Sequence, residues 1–384
     1  MPRALHRQGR LARLITDAWM PPGSPLHALP GDRARRLRER YHAELDGMTM
    51  DLTWSLIGHE LLWNAQGLRG WDLFMTRNDW FQAGAAKRLA DAAVVRPIVF
   101  ANSYAALQIF KAAKSKGSRC ILGQIDPGAR HFEIVADTAR SAPEFGPPPT
   151  PPPAAYLEQW REECALADHI VVNSEWSRQC LERAGVPSSK LTIAPLAYEP
   201  DGAEAPSHEY PERFTIDRPL RLLFVGQATV AKGIKPLLEA TSLLADAPIT
   251  VTIVGERSVR IPAEFANDPR IQWIGAVSRS DVMNHYRTAD VLIFPSHSDG
   301  FGMAQVEAQG WKLPIIASPS CGRVVSDGVN GILLQDVTAG SIAAAVRRVI
   351  AEPRLLTAFS RASGIEIGQG LEALGRSLMS LEES

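Results

Sequence analysis

Cysteine is scarce in this chain. Four occur in 384 residues, at positions 120, 164, 180 and 321, and none forms a Cys-x-x-Cys pair. With no histidine cluster beside them, that argues against a zinc site or a disulfide framework and makes a reducing cytoplasm the expected setting. Charge of one sign is also lacking: Lys+Arg number 41 against Asp+Glu 42, a net charge of −1. No global positive field exists to recruit a phosphate backbone, so no nucleic acid partner is expected. No run of about 18 uncharged apolar residues is present, so no transmembrane helix is predicted. There is no Gly-x-Gly-x-x-Gly fingerprint, no Gly-Lys-Ser/Thr phosphate loop and no Asp-x-Asp pair. The start, "MPRALHRQGRLARLITDAWM", is Arg-rich like a transit peptide but lacks the apolar core of a secretory signal. A first strand over "RLARLITDAW" and a mature cytoplasmic N-terminus are expected.

What is present is 45% hydrophobic residues over a length that suits two domains. In the second half, apolar runs alternate with helical spacing. Strands are predicted at "LRLLFVG" (220–226), "ITVTIVG" (249–255), "RIQWIG" (270–275), "ADVLIFPS" (289–296), "LPIIAS" (313–318) and "GILLQ" (331–335). Helices are predicted at 233–246, 279–287, from about 302, and at 338–350. Continuous apolar strands between amphipathic helices indicate a parallel sheet covered on both faces. The first half predicts strands at "RLITDAW", "WDLFMTRN", "RPIVFANS", "CILGQID", "DHIVVNS" and "LTIAPL", with helices at 32–46, 79–91, 103–116, 155–167 and 174–184. "EFGPPPTPPPAA" (144–155) should be an extended loop. The fold class is therefore α/β, with two doubly wound domains facing across a cleft. The expected division is 1–198, a polar linker at 199–219, 220–360, and a terminal helix in 361–384. In such sheets ligands sit at the carboxyl ends of strands.

Two such ends carry chemistry. In "FVGQATVAKG" (224–233) a strand stops at Gly226 and a helix follows Lys232. Amides at a helix start favour an anion, and Lys232 adds a cation; the alternative is an ordinary turn with a solvated lysine. In "PSHSDGFGMAQVEAQG" (295–310), Gly300 and Gly302 precede a helix, so backbone can approach a ligand closely. Asp299 can either cap that helix or face a ligand, and Glu307 can face a ligand or solvent. Taken together, the two loops suit a ligand with a diphosphate and vicinal hydroxyls, such as a nucleotide-diphosphate sugar.

Residues 220–350 resemble the donor-binding domain of the family 4 (group 1) retaining glycosyltransferases of the GT-B fold. The resemblance rests on "FVGQ…KG", "VTIVGE", "IQWIGAV", "ADVLIFPSHSDGFGMAQVEA", "LPIIASPSCG" and "GVNGILL", in order. It implies transfer of a sugar from a UDP- or GDP-sugar to an acceptor hydroxyl, with the anomeric configuration retained; the lack of an Asp-x-Asp pair leaves no obvious metal ligands, so no metal or other cofactor is expected. It implies that Asp299 contacts donor-sugar hydroxyls, that Glu307 contacts the ribose, and that Lys232 neutralises the leaving diphosphate. Gly226, Gln227, Gly255, Glu256, Val277, Ser296, Gly300, Phe301 and Gly302 complete the expected donor site. Three positions depart from the family pattern: Asp299 is shorter by one methylene, Gln227 replaces an arginine, and Lys312 replaces a glycine.

The N-terminal half resembles the acceptor domain more loosely. "DAWMPPGS" stands where the family has a Gly-rich loop, which brings in Gly23. "LGQIDPG" stands where many members carry a histidine. Gln124, Asp126 and His131 are the polar residues there, and Asp126 is read either as a reacting group or as an Asp-Pro-Gly turn. Arg77 and Asn78 in "MTRNDWFQ" are acceptor candidates, with Asn78 alternatively a helix cap; Ser103 is read as a cap. The expected acceptor is a saccharide or glycolipid. The Arg-rich stripe over 32–45 suits either domain packing or peripheral membrane contact. The competing functions are a non-catalytic GT-B nucleotide-sugar-binding or partner module, and a GT-B phosphorylase or epimerase.

Overall fold

The computed structural model describes residues 1–28, 37–38, 40–91, 96–199, 205, 208–364 and 370–381. Three all-parallel sheets organise them. β1 (Leu14–Thr16) pairs with β2 (Thr49–Asp51). β3 (Val99–Asn102), β4 (Cys120–Gln124), β5 (His169–Val172) and β6 (Leu191–Ile193) form a four-stranded sheet in that order. The larger sheet contains β7 (Leu220–Val225), β8 (Ile249–Val254), β9 (Ile271–Gly275), β10 (Val291–Phe294), β11 (Ile315–Ala317) and β12 (Gly331–Leu333), in the order β12-β11-β10-β7-β8-β9. Strand order reverses between β7 and β10. That crevice is where doubly wound sheets hold ligands.

The helices are α1 (Pro2–Arg7), α2 (Thr53–Ala65), α3 (Gly70–Asp91), α4 (Leu107–Ser115), α5 (Ala129–Arg140), α6 (Ala154–Leu166), α7 (Glu175–Arg183), α8 (Ile234–Leu243), α9 (Arg279–Thr288), α10 (Met303–Gly310), α11 (Ala339–Ala351) and α12 (Leu371–Met379), with short helices at Ala263–Ala266 and Pro353–Ala362. Both faces of the large sheet are covered. Leu222, Phe224, Val251 and Ile253 pack with α8 and α11, while Leu223, Leu292, Phe294 and Ile315 pack on the side of α9 and α10. Burying one such side chain contributes about 1.5–3 kcal/mol, which is why these strands read as largely apolar runs.

Two segments cross between the halves. α12 places Leu371, Leu374 and Leu378 against Ala4, Ile121 and Val171, on the four-stranded sheet. The short turn Pro143–Phe145 carries Phe145 into the core of the six-stranded sheet, where the Arg260 amide donates to the Phe145 carbonyl at 2.8 Å.

The structure corrects the reading of the first half. "WDLFMTRN" is not a strand; it lies within α3, whose Trp71, Met75 and Leu89 pack toward the core at helical intervals. α2 and α5 were not predicted. Of the helix expected over 32–46, residues 32–36 and 39 lie outside the described residues; Leu37 and Arg38 are helical, and a short turn follows at Ala43–Leu45. Among the described residues, no helix is long and apolar enough to cross a membrane.

Candidate functional site

The loops after β7 and β10 are locked together backbone on backbone. Gly233 has φ +79°, and a Cβ on it would stand 1.9 Å from the Pro295 carbonyl oxygen. The His297 amide donates to the Ala231 carbonyl at 2.8 Å, and Ser296 Oγ lies 3.4 Å from the same oxygen. A third loop joins them: a Cβ on Gly255, at φ +140°, would fall 2.0 Å from the Gly226 carbonyl oxygen. Side chains at these positions would push the loops apart, so glycine is required.

This packing seats the Lys232 ammonium on the Asp299 carboxylate as an ion pair. Both groups are partly exposed, at 31% and 19% of their side-chain surface, so solvent and a ligand can reach them. Asp299 does not cap α10. The cap position is Gly302, in the left-handed region at φ +84°, and Asp299 Oδ1 instead accepts from the Phe301 amide at 3.4 Å. Glu307 lies on α10, half-buried, and accepts a 2.8 Å hydrogen bond from the buried Tyr286 hydroxyl. Burial, then the Glu307 charge, pushes the Tyr286 hydroxyl above its ordinary pKa, so it stays protonated and donates to Glu307.

Across the crevice, β4 ends in a network centred on Asp126. Its Oδ1 accepts from Tyr104 Oη at 2.7 Å, Gln124 Nε2 at 2.9 Å and the Gly128 amide at 2.8 Å. Gln124 Oε1 in turn accepts from Trp160 Nε1 at 2.9 Å. Burial holds the Asp126 carboxyl above its usual range. His131 sits 3.1 Å from Ser298 Oγ through Nδ1. Burial lowers its pKa, and Asp126, Lys232 and Asp299 are the charges that act on it next. The two halves thus meet at one electrostatic site. Among the described residues, no group of three His, Cys, Asp or Glu side chains is placed to hold a metal ion.

Residues 208–364 match the family described as Glycosyl transferases group 1. This stretch is a group 1 glycosyltransferase domain. The D-inositol 3-phosphate glycosyltransferase of Geodermatophilus obscurus is 29% identical over 232 residues, covering 55% of this chain and 52% of that protein. An uncharacterized 41.2 kDa protein in the cps region of Klebsiella pneumoniae is 29% identical over 171 residues, covering 44% and 48%. The chain spans about half the length of the curated relatives it matches. Among solved structures, sucrose-phosphate synthase from Thermosynechococcus elongatus superposes with a TM-score of 0.67 at 16% identity, over 100% of this chain and 90% of that one. Anabaena HepE in complex with UDP gives 0.58 at 14%, over 79% and 82%. These likenesses show the GT-B fold.

In the group 1 domain, Gly226, Gly255, Ser296, Gly300, Phe301 and Gly302 lie with Lys232 and Asp299 around the switch point. Gln227 and Glu256 are exposed at its rim, where Gln227 Nε2 donates to Ser258 Oγ at 2.7 Å. Val277, in the loop after β9, packs against the cluster that includes Leu223, Leu292 and Phe294. Outside that domain the acceptor candidates divide. Gln124, Asp126 and His131 face the site. Gly23 occupies an exposed bend. Arg77 is engaged with Asp17 at 2.9 Å. Asn78 is not a cap; it sits mid-helix in α3 and donates to the Tyr104 carbonyl at 3.0 Å. Ser103 does not cap α4 either, since its Oγ accepts from the Ile125 amide at 3.3 Å. That helix start is satisfied from a distance: the buried Glu163 carboxylate on α6 accepts from the amides of Tyr104, Ala106 and Leu107 at 2.6, 2.9 and 3.1 Å. Tyr104, Tyr286, Ser174 and Ser298 were missed. Their partners lie 22, 21, 126 and 167 positions away, so no local signal marks them.

Proposed function

We propose that this chain is a retaining glycosyltransferase that moves a sugar from a UDP- or GDP-sugar to the hydroxyl of a saccharide or glycolipid acceptor. One observation carries the reading: Lys232, Asp299 and Glu307 gather around glycine-built loops at the switch point of the group 1 domain. Diphosphate oxygens draw Lys232 off Asp299. The freed Asp299 carboxylate then accepts from a sugar hydroxyl, and Glu307 accepts from the ribose. The leaving diphosphate is stabilised electrostatically by Lys232 and the start of α10, without a metal. Asp126 and His131 face the same point from the acceptor side. Their position suits holding the incoming hydroxyl while closure of the halves limits competing hydrolysis. The solved neighbour bound to UDP supports a nucleotide donor, and the relatives named D-inositol 3-phosphate glycosyltransferase support a polyhydroxyl acceptor.

The test is a screen of UDP-, GDP- and ADP-sugars for thermal stabilisation, followed by an assay of nucleotide release. Stabilisation with slow release supports the transferase. Binding without turnover favours the non-catalytic module, a reading that the exposed, neutral Gln227 motivates. Failure of every nucleotide sugar to bind overturns both.

A further inference from the structure

The Gly300 carbonyl is held by the other half of the protein. Ser174 Oγ, in the loop between β5 and α7, donates to it at 2.6 Å, and Ser177 Oγ lies 3.3 Å from the same oxygen. Both serines are buried, at 3% and 0% exposure. Ser174 is also the N-cap of α7 and accepts from the Ser177 amide at 3.1 Å; of the two acceptors in reach of its single hydrogen, the Gly300 carbonyl at 2.6 Å is closer than Ser177 Oγ at 3.1 Å. Asn173 braces the contact, donating to the Ile125 carbonyl at 3.2 Å while its Oδ1 accepts from Ser177 Oγ at 3.0 Å. The approach is close enough that a Cβ on Gly300 would stand 2.6 Å from the Ile125 oxygen and 2.9 Å from Asn173 Nδ2.

A trans peptide points its carbonyl and its N–H in opposite directions. Fixing the Gly300 carbonyl against Ser174 therefore fixes the Phe301 N–H, which points at Asp299 Oδ1, 3.4 Å away. The other Asp299 oxygen meets Lys232. One peptide plane links the lobe contact to the carboxylate.

We infer that Ser174 is a positioning residue that couples the approach of the two halves to the orientation of Asp299; this rests on the donor reading above. With the halves apart, the Gly300 carbonyl loses its donor and the Phe301 N–H is no longer aimed. Closure sets Asp299 for the sugar, while the nucleotide is held by groups that do not depend on Ser174.

The wild-type chain is titrated calorimetrically with UDP, GDP and ADP and with UDP-glucose, GDP-mannose and ADP-glucose, and the nucleotide it binds is carried forward. Ser174→Ala and Ser174→Asp are then compared, because aspartate caps a helix as well as serine does but brings no hydrogen for the carbonyl. Both variants are expected to lose about tenfold in affinity for the nucleotide sugar, the worth of one buried hydrogen bond. Affinity for the bare nucleotide should stay within about threefold. Ser177→Ala keeps the cap residue and should shift the sugar-bearing ligand in the same direction by about threefold; it decides the matter if the Ser174 variants do not fold. Normal behaviour of Ser174→Asp beside a defective Ser174→Ala would show a helix cap only and overturn the inference. So would equal losses for nucleotide and nucleotide sugar, or no change in any variant. A wild-type chain that binds none of the six ligands overturns the donor reading, and this inference with it.

Discussion

Lys232 and Asp299 lie 67 positions apart, on loops following different strands, and form an ion pair at the switch point of the six-stranded sheet. Each neutralises the other until a ligand intervenes. A diphosphate competes for the lysine and a sugar hydroxyl for the carboxylate, so binding exchanges one polar partner for another rather than stripping a bare charge of water.

Replacing either partner should therefore have opposite effects on the bare nucleotide. Lys232→Ala removes a charged hydrogen bond worth about 1.5–3 kcal/mol, so nucleoside diphosphate affinity should fall by roughly 10- to 150-fold. Asp299→Asn releases the lysine and should hold or improve that affinity while weakening the nucleotide sugar. Calorimetry with both ligands checks this; unchanged nucleotide binding in Lys232→Ala would remove Lys232 from the site. Asp299→Glu should retain or improve turnover of the donor, as the resemblance implies.

Glu307 has a structural partner as well as an expected ligand. Glu307→Ala leaves the buried Tyr286 hydroxyl unpaired and should cost about 1–3 kcal/mol of stability. Glu307→Gln keeps an acceptor for Tyr286, so its melting temperature should stay near wild type while nucleotide affinity drops by about tenfold. Equal nucleotide affinity for wild type and Glu307→Gln would count against the ribose contact.

Gly233→Ala tests the backbone contact between the two donor loops. The left-handed φ costs about 1–2 kcal/mol for an alanine. Displacing the Pro295 carbonyl adds about 1–3 kcal/mol of overpacking. Chemical denaturation should show the sum, and nucleotide binding should weaken with it because the loops carrying Lys232 and Asp299 separate.

His131 gives a pH dependence. Burial lowers its pKa below the ordinary 6.5, so the folded state favours the neutral ring. Its contribution is present above pH 6.5 and is lost as pH falls from there through the folded value. Thermal melts of wild type and His131→Gln at pH 7.5 and 5.5 should show a larger acid loss in wild type. An identical acid loss in both would assign the effect elsewhere.

The donor side was largely legible in the sequence. β7, β8 and β10 are buried on both faces, so each is an apolar run long enough to read directly. Gly226, Gly255 and Gly302 mark strand ends and helix starts through their own backbone angles. The first half was less legible. In "WDLFMTRN" the apolar residues suit a short strand as well as one turn-spaced face of α3. The start of α4 carries no capping side chain of its own, because Glu163 supplies the acceptor from another helix.

The sequence by itself determined the strand-and-glycine framework of the group 1 domain, together with the placement of Lys232 and Asp299 after strand ends and of Glu307 in the helix that follows. Those features depend on local backbone preference and on burial of both sheet faces. Only the tertiary structure decided that Asp299 meets Lys232 rather than capping α10, that Tyr286 holds Glu307, and that Ser174 holds Gly300. Each of those depends on a side chain reaching a partner from another element, and such distances are set by how the sheets and helices pack.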